Sequence, residues 1–216
     1  MNDLVDLLTD RDGDPLHAAS RRVSGVAVGI VVDNKDPDNF GRVKVKFPWL
    51  GDESESEWAK VATPMGGKDR GIYFLPEKDE EVLVAFEQGD LDHPFVIGGL
   101  WSTEDKPPEN NADGKNNIRK IRSRSGHEIV FDDDGETGQE KVTIHTKAGH
   151  KLVLDDSTGS EKIELIDKSG QQKLQMDSNQ NSITLESAMT LTIKAVQIEI
   201  NASGILTLKG GLVKIN

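Results

Sequence analysis

Residues 21–103 carry hydrophobic and polar residues in short alternating runs, and Gly, Pro, Asn and Asp separate one run from the next. The clearest run is RVKVKF, in which Val43, Val45 and Phe47 alternate with three basic residues. Strict alternation predicts a half-buried β-strand. Further strands are predicted in VSGVAVGIVVD, EWAKVA, GIYFLP, EVLVAFEQG and PFVIGGLW. Five or six short strands in a segment of this size predict a small, closed or partly closed barrel such as an OB-fold.

The pattern changes at Ile118, after which the chain continues in short apolar–x–apolar steps separated by Asp, Asn, Ser and Gly. All ten aromatic residues lie at or before Phe131, and all eight prolines lie at or before Pro108. Without proline, every later backbone N–H is free to join a β-ladder. Each step predicts a strand, and the steps are Ile129/Phe131, Val142/Ile144, Leu152/Leu154, Ile163/Leu165, Leu174/Met176, Ile183/Leu185, Leu191/Ile193, Ile198/Ile200, Leu206/Leu208 and Val213/Ile215.

An internal repeat underlies these strands. The segments SGHEIVFDDDG, AGHKLVLDDSTG and SGQQKLQMDSNQ align on Gly126, Gly149 and Gly170. In each, polar residues and an apolar–x–apolar step follow the glycine, and an aspartate comes next. EKVTI and EKIEL are the predicted return strands, and after Gln180 the units shorten. A period of about 20 residues indicates one structural unit stacked on the next.

The aliphatic face of these strands needs a cover that the second half of the chain does not supply. Leaving apolar surface in water costs ~25 cal/mol per Å², and no segment with a helical period follows Ile118. A narrow core shared by identical chains in a closed cyclic assembly buries this face and removes the exposed sheet edges. We therefore predict a homotrimer. The alternative is a secreted β-solenoid that binds or cleaves polysaccharide, although solenoid coils need a longer, more regular period.

Two stretches fall outside these domains. Residues 104–117 are a predicted linker, stiffened by Pro107 and Pro108. Residues 1–20 are a polar arm with one short amphipathic turn, which is either a frayed terminus or a docking segment. The residues that we assign to docking on a separate hub protein are Leu4, Val5, Leu7 and Leu8.

Composition narrows the possible functions. The net charge is −12, and residues 1–117 hold 24 acidic against 13 basic residues. This acidic half argues against nucleic-acid binding, which needs an excess of Lys and Arg. The chain has no cysteine, no apolar run as long as a membrane span, and no basic and apolar leader at its start. Assembly in the cytoplasm is therefore expected.

The segment from Gly41 to Trp101 resembles the OB-fold of the VgrG and phage baseplate assembly protein V family. The resemblance rests on GRVKVKFPW, the W-x-K-V-A-x-P step at Trp58–Pro64, the F-x-P step at Phe74–Pro76, the EVLVAFEQGD run and the D-x-P-x-x-x-G step at Asp92–Gly98. The repeats from Ile118 are similar to the same family's triple-stranded β-helix. The resemblance covers roughly residues 21–216.

The resemblance implies an all-β protein, with an OB-fold barrel at 21–103 and an intertwined trimeric β-helix, or β-prism, shaft at 118–216. It also implies a structural, non-enzymatic spike at the centre of a contractile injection system, assembled with inner tube and baseplate components. Such a spike becomes part of a phage-tail-like particle or secretion apparatus and pierces a target envelope. No cofactor is expected.

The sequence departs from the family in what surrounds these domains. Only about 20 residues precede the barrel where VgrG proteins carry a hub, which implies a separate hub protein. No lysozyme-like domain follows the barrel, and no H-x-H iron site stands at the end of the shaft. A PAAR-type tip protein is therefore expected to bind the last strand, through Leu212, Val213, Lys214, Ile215 and Asn216.

Few residues suggest catalysis or metal binding. His145 and His150 flank a predicted turn, and a metal ring on a threefold axis is one interpretation, although ordinary turn histidines are favoured. Asp132–Asp134 lacks the spacing of a calcium loop, so a solvated turn is expected. Ser125 and His127 lack a strained elbow and a positioned acid, which argues against a nucleophile. No catalytic site and no metal site is predicted.

Overall fold

The computed structural model describes residues 23, 25–51 and 54–214. The chain divides into two units, Met1–Pro107 and Pro108–Asn216, with a boundary inside the segment that we assigned to the linker. The described residues form β-strands, turns and one 3₁₀ turn at Glu87–Gly89, and they contain no α-helix. The predicted all-β class is confirmed. None of the described residues belongs to a helix that is long and apolar enough to cross a membrane.

The first unit is a five-stranded barrel with a small additional hairpin. Its strands are β1 (Val26–Asp33), β2 (Lys44–Lys46), β3 (Lys60–Val61), β4 (Gly66–Gly67), β5 (Arg70–Gly71), β6 (Glu81–Phe86) and β7 (Pro94–Gly99). The main sheet has the order β2-β1-β6-β7-β3, with β3 parallel to β7 and the other pairs antiparallel. Bridges from Val43 to Ala59 and from Lys46 to Glu55 bring the β2 segment beside the β3 segment and close the barrel. This closed five-stranded arrangement is the predicted OB type.

Alternation places the barrel core as the sequence predicts. Val43, Val45 and Phe47 are buried, and the side chains between them are not. The core is completed by Val31, Ala59, Val82, Val84, Phe86 and Val96. Gly29 of β1 is buried beside Val45 of β2, and a Cβ atom at this position would stand 2.2 Å from Cγ1 of Val45. The close approach of β1 to β2 therefore requires glycine at this position.

One predicted strand in this unit is wrong. GIYFLP forms a strand only at Gly71, and residues 72–76 have no regular structure. Pro76 lacks an N–H, so it cannot donate to a ladder. The Ile72 carbonyl accepts the Thr63 hydroxyl at 2.6 Å instead of a strand partner. Tyr73 and Phe74 are consequently held in an exposed loop rather than in the sheet.

The second unit is an antiparallel meander of equal five-residue strands. They are β8 (Ile118–Arg122), β9 (Glu128–Asp132), β10 (Lys141–His145), β11 (Lys151–Asp155), β12 (Lys162–Ile166), β13 (Lys173–Asp177) and β14 (Ser182–Glu186). Each strand pairs with its neighbour in the chain and without a shift in register. The predicted return strands, EKVTI and EKIEL, are β10 and β12. The alternative, a single-chain β-solenoid, does not fit this arrangement, because the strands form one antiparallel meander in chain order rather than successive coils.

The repeat glycines occupy the turns along one edge of the meander. Gly126, Gly149 and Gly170 have φ values of 86°, 101° and 73°. These values lie in the left-handed region, which glycine adopts without strain. The connections along the opposite edge span residues 133–140, 156–161 and 178–181, so the turns shorten toward the end of the meander.

The meander ends at Glu186, and residues 187–214 form no strand within the single chain. Three alternating segments that lie wholly in this stretch, Leu191/Ile193, Ile198/Ile200 and Leu206/Leu208, are predicted strands that do not form. Their residues are exposed. A fourth, Val213/Ile215, lies partly outside the described residues. A strand requires a neighbour for its backbone groups, and no other described part of the same chain pairs with these segments.

Candidate functional site

The register of the meander collects its aliphatic residues on one face, because every second position of each strand points to the same side. Two rows of directly opposed residues cross this face, and every position except Arg119 is apolar. We call it the shaft face. The first row is Ile121, Ile129, Ile144, Leu152, Leu165, Leu174 and Leu185. The second is Arg119, Phe131, Val142, Leu154, Ile163, Met176 and Ile183.

Nothing in the described part of the second unit covers the shaft face. No described residue of that unit is buried, whereas the first unit has a complete core. Leu165 is 56% exposed and Ile183 is 72% exposed. A contiguous apolar surface of this extent marks an interaction site rather than a free surface. The shaft face is therefore the candidate functional site of the second unit.

The opposite face of the meander is polar and alternates in charge. One row across it reads Asp132, Lys141, Asp155, Lys162 and Asp177, so each aspartate faces a lysine on the neighbouring strand. The Lys141 ammonium lies 3.8 Å from Oδ2 of Asp132. Directly opposed charges of opposite sign contribute about 0.2–1 kcal/mol each. The three aspartates of the sequence repeat thus favour the register that produces the shaft face.

A second charged group lies on this polar face around Glu128, whose side chain is largely shielded from solvent. Arg122 donates to its carboxylate at 3.1 Å, His145 Nε2 lies 3.1 Å from it, and Lys120 lies 3.8 Å away. His145 therefore has a carboxylate partner within its own sheet.

His127 and His150 each connect their own turn to the next turn along the same edge of the meander. Nδ1 of His127 accepts the backbone N–H of Lys147 at 3.4 Å, and Nδ1 of His150 accepts that of Lys168 at 3.2 Å. Among the described residues, no group of three or more His, Asp or Glu side chains is arranged to hold a metal ion.

The Asp132–Asp134 segment has local partners of its own. Arg119 donates to Asp133 at 2.7 Å, and the Thr137 hydroxyl donates to Asp134 at 2.6 Å. The first contact ties the start of the loop 133–140 to β8, and the second lies within the loop.

The predicted tip residues fall only partly within the described structure. Leu212 is 75% exposed, and Val213 and Lys214 are also exposed, in a segment without strand pairing. Ile215 and Asn216 lie outside the described residues, as do the predicted hub-docking residues Leu4, Val5, Leu7 and Leu8.

Sequence reasoning missed an aromatic groove on the barrel. Phe40 projects from the β1–β2 connection, and Tyr73 and Phe74 project from the loop before β6. Between them lies a groove of ≈ 210 Å³, which we call the aromatic groove, lined by residues 40–41, 61–64 and 72–75. The adjacent aromatics Tyr73 and Phe74 were the available signal, but the sequence analysis places them in a strand.

A buried ion pair fixes the loop that presents Phe40. The Asp36 carboxylate accepts hydrogen bonds from Nε and Nη2 of Arg42 at 2.9 and 2.7 Å. It also accepts a hydrogen bond from the backbone N–H of Phe40 at 3.0 Å. The Arg42 guanidinium, whose hydrogen bonds are the main cause, holds the pKa of Asp36 well below its usual range. Arg42 also lies over the Phe40 ring, 5.3 Å from its centroid.

Comparison with known proteins identifies the class of the barrel. Residues 27–101 match the family model of the type VI secretion system/phage-baseplate injector OB domain. This match covers β2 to β7 completely and all of β1 except Val26. The first unit is therefore similar to this injector OB domain over residues 27–101.

Individual relatives extend the similarity. The chain is 34% identical over 146 residues to the type VI secretion system spike protein VgrG5 of Pseudomonas aeruginosa, covering 62% of this chain and 18% of the relative. It is 29% identical over 149 residues to the spike protein VgrG3 of Vibrio cholerae, covering 63% and 14%. It is 26% identical over 187 residues to the actin cross-linking toxin VgrG1 of Vibrio cholerae, covering 83% and 15%.

These matches confirm the resemblance to the VgrG family found in the sequence of this chain. The chain spans less than a quarter of the length of each of these relatives.

Proposed function

We propose that this protein is the structural spike of a contractile injection system and works as a parallel homotrimer. The observation that carries the proposal is the shaft face, a continuous apolar surface in a unit without a buried core. Three copies that turn their shaft faces toward one axis bury this surface and leave the charged rows outside. The names of the relatives, type VI secretion system spike proteins, support the same function.

Strand length favours three copies over four. A five-residue strand spans about 17 Å, and two packed sheets lie about 10 Å apart. The side chains of one sheet therefore fill a depth of about 5 Å on its inner side. Three sheets with sides of about 17 Å form a triangle whose centre lies about 5 Å from each side. Four such sheets form a square whose centre lies about 8.5 Å from each side, and Leu, Ile and Val side chains do not fill that distance. Three sheets of this width therefore pack the shaft face without a void, whereas four do not.

The proposed trimer also gives residues 187–214 partners for their backbone groups. Their alternating aliphatic segments have no partner within one chain, and a second copy offers backbone groups of the same spacing. Pairing between copies satisfies these groups and produces an intertwined end of the shaft. The fold of this stretch thus depends on assembly.

The remaining partners follow from the family and are proposals. They are a separate hub protein, inner tube and baseplate components, and a PAAR-type tip protein that binds Leu212–Asn216. The exposed Leu212 and Val213 side chains support a tip partner, because they offer apolar anchors beside unpaired backbone. Cytoplasmic assembly followed by incorporation into a secretion apparatus or phage-tail-like particle is proposed with them.

We further propose that this chain has no enzymatic activity and acts mechanically. In the described residues, the histidines and carboxylates named above are engaged in turn, ladder and ion-pair contacts that stabilise the sheets. One relative is named as an actin cross-linking toxin, and that name describes that protein. Purified chain is expected to turn over neither peptidoglycan nor peptide substrates.

Mass photometry of the purified chain tests the proposal. The expected mass is three times the 23.6 kDa of one chain, and negative-stain electron microscopy should show particles with a narrow rod. A monomer at micromolar concentration, or a two-chain or four-chain mass, would contradict the trimeric spike.

A further inference from the structure

The two edges of the meander differ in charge. The connections along the edge of the repeat glycines, residues 123–127, 146–150 and 167–172, hold three basic residues and one acidic residue, Asp167. We call this edge the glycine-turn edge. The connections along the other edge, which we call the acidic edge, span residues 133–140, 156–161 and 178–181 and hold no basic residue. Their acidic residues are Asp133, Asp134, Glu136, Glu140, Asp156 and Glu161.

The strand ends show the same difference to a smaller extent. On the glycine-turn edge they include three basic and two acidic residues, and on the acidic edge three acidic and two basic residues. The glycine-turn edge is therefore basic along the whole meander, and the opposite edge is acidic.

These charges recur with the sequence repeat. Arg124, Lys147 and Lys168 each stand two residues before a repeat glycine. Glu140 and Glu161 each precede the lysine that begins a return strand, β10 or β12. A residue that recurs at the same place in stacked units forms a column along the stack. The meander thus carries a basic column on one edge and an acidic column on the other.

The turns hold two lysines of the basic column in line. The backbone N–H of Lys147 donates to Nδ1 of His127, and that of Lys168 donates to Nδ1 of His150, so each turn is tied to the next. Both lysine side chains are exposed. They are consequently positioned to meet a partner beside the glycine-turn edge.

The acidic edge contains acceptors that its own chain does not satisfy. Within the described part of the chain, Oε2 of Glu161 and Oδ1 of Asp134 are shielded from solvent and have no hydrogen-bond partner. A shielded acceptor without a donor is costly. A cation from a neighbouring copy would supply the missing donor.

Other charged groups at these edges have partners in their own chain. On the acidic edge, Arg119 pairs with Asp133, and Lys115 pairs with Glu136 at 2.6 Å. On the glycine-turn edge, the Asp167 carboxylate accepts hydrogen bonds from its own turn. The lysine and glutamate columns form no ion pair of this kind among the described residues, so they remain for contacts with a second copy.

The two columns match in height along the shaft. The Glu140 carbonyl accepts the backbone N–H of Asp156 at 2.9 Å, which places Glu140 between β10 and β11 on the acidic edge. The turn with Lys147 joins the same two strands on the other edge. Likewise, the Glu161 carbonyl accepts the N–H of Ser178 between β12 and β13, the two strands that the turn with Lys168 joins.

We propose that, at each corner of the trimeric shaft, Lys147 of one copy pairs with Glu140 of the next and Lys168 pairs with Glu161. This inference rests on the proposed trimer, in which cyclic symmetry brings the glycine-turn edge of each copy beside the acidic edge of its neighbour. An antiparallel neighbour would instead bring two like edges together, and like charges oppose such a contact. The two columns thus select the parallel arrangement, while the shaft face supplies the buried core.

Carbodiimide cross-linking of the unmodified protein tests the pairing, because this reagent joins an amine to a carboxylate in contact with it, with loss of water. Lys147 and Glu140 lie at opposite ends of a five-residue strand, about 17 Å apart within one chain, so a link between them joins two copies. Covalent trimers are isolated and digested, and mass spectrometry identifies the linked residues. The Lys115–Glu136 ion pair within one chain is the positive control.

The shifted pairs Lys147–Glu161 and Lys168–Glu140 are the matched controls. They combine the same residues but differ in height by two strand spacings, about 9.5 Å. We expect the two proposed links to form at least tenfold more than the shifted ones. Glu140→Gln should abolish the link to Lys147 and leave the Lys168–Glu161 link unchanged.

Mass photometry before cross-linking separates the two levels of the proposal. A monomer mass overturns the proposed spike assembly itself. A trimer mass with the Lys115–Glu136 link but without the two proposed links, or with equal amounts of shifted links, overturns only the pairing of the edges.

Discussion

Leu165 lies directly opposite Leu152 on one side and directly opposite Leu174 on the other, in the middle of the first row of the shaft face. Within the single chain, more than half of its side chain is exposed. In the proposed trimer, three copies of this residue meet beside one axis.

Leu165→Asp is therefore expected to abolish the trimer. Three carboxylates would enter a narrow aliphatic core, and an unpaired buried charge costs several kcal/mol or more. We expect at least a hundredfold weaker association, measured by mass photometry over a dilution series. Thr143→Asp, which adds the same charge to the polar face of the meander, is the control and should remain trimeric. If both variants assemble like the parent, Leu165 does not face the axis.

Gly29→Ala tests the packing of the barrel. The added Cβ atom would stand 2.2 Å from Cγ1 of Val45 and 3.2 Å from Cε1 of Phe47, so the strands must separate. Overpacking of this kind costs about 1–3 kcal/mol. All three tryptophans belong to the first unit, so tryptophan fluorescence during urea unfolding reports on the barrel.

Gly99→Ala is the control for that experiment, because nothing lies within 4 Å of the position that an added Cβ atom would take. Its free energy of unfolding should match that of the parent within about 0.5 kcal/mol. Equal midpoints for all three proteins would show that β1 and β2 can separate without cost.

Local pattern was sufficient to predict the elements whose partners lie nearby. RVKVKF alternates strictly, so Val43, Val45 and Phe47 fall in the core. Equal aliphatic steps likewise predict the strands from β9 to β14, because each pairs with its neighbour in the chain. The strand β8, whose sequence IRKIR has no such step, was not predicted. Leu191/Ile193 has the same pattern but forms no strand in one chain, because no described segment of that chain pairs with it.

Contacts between residues distant in sequence were the part that could not be predicted. The role of His150 depends on a backbone N–H 18 residues away, and the charged row containing Asp132 and Lys141 becomes visible only when the register is known. The aromatic groove was missed because Tyr73 and Phe74 have high strand propensity. Pro76 and the Thr63 contact override that propensity.

Gly126→Ala should destabilise the meander by about 1 kcal/mol. The residue has a φ of 86°, which non-glycine residues adopt at a cost of about 1–2 kcal/mol. Its surroundings leave room for a methyl group, because the nearest atoms to an added Cβ lie at 3.9 Å. Any loss is thus conformational rather than steric. Gly126→Asn should recover much of the stability, since asparagine tolerates this region, and thermal unfolding by circular dichroism compares the three proteins.

Asp167 gives the meander an acid-sensitive turn. Its carboxylate accepts the Ser169 hydroxyl and the backbone N–H groups of Ser169, Gln171 and Gln172. The Ser169 hydroxyl is the largest cause that lowers the pKa of Asp167 from 3.8 to about 2. A carboxylate whose pKa is lower in the folded state stabilises that state above the unfolded pKa. The contribution disappears as pH falls from about 4 through about 2.

Ser169→Ala should raise the pKa of Asp167 toward its ordinary value, because it removes the strongest hydrogen bond to the ionised form. Carbon-13 NMR titration of the Asp167 carboxyl group measures that shift directly. In thermal unfolding, the parent should exceed Ser169→Ala in stability near pH 5, and the difference should narrow near pH 2, where the carboxylate is largely protonated in both proteins. Other carboxylates titrate in the same range, so the difference between the two proteins, not the absolute melting temperature, is the relevant quantity. A difference that is the same at both pH values would show that the hydroxyl stabilises the turn without acting through the charge of Asp167.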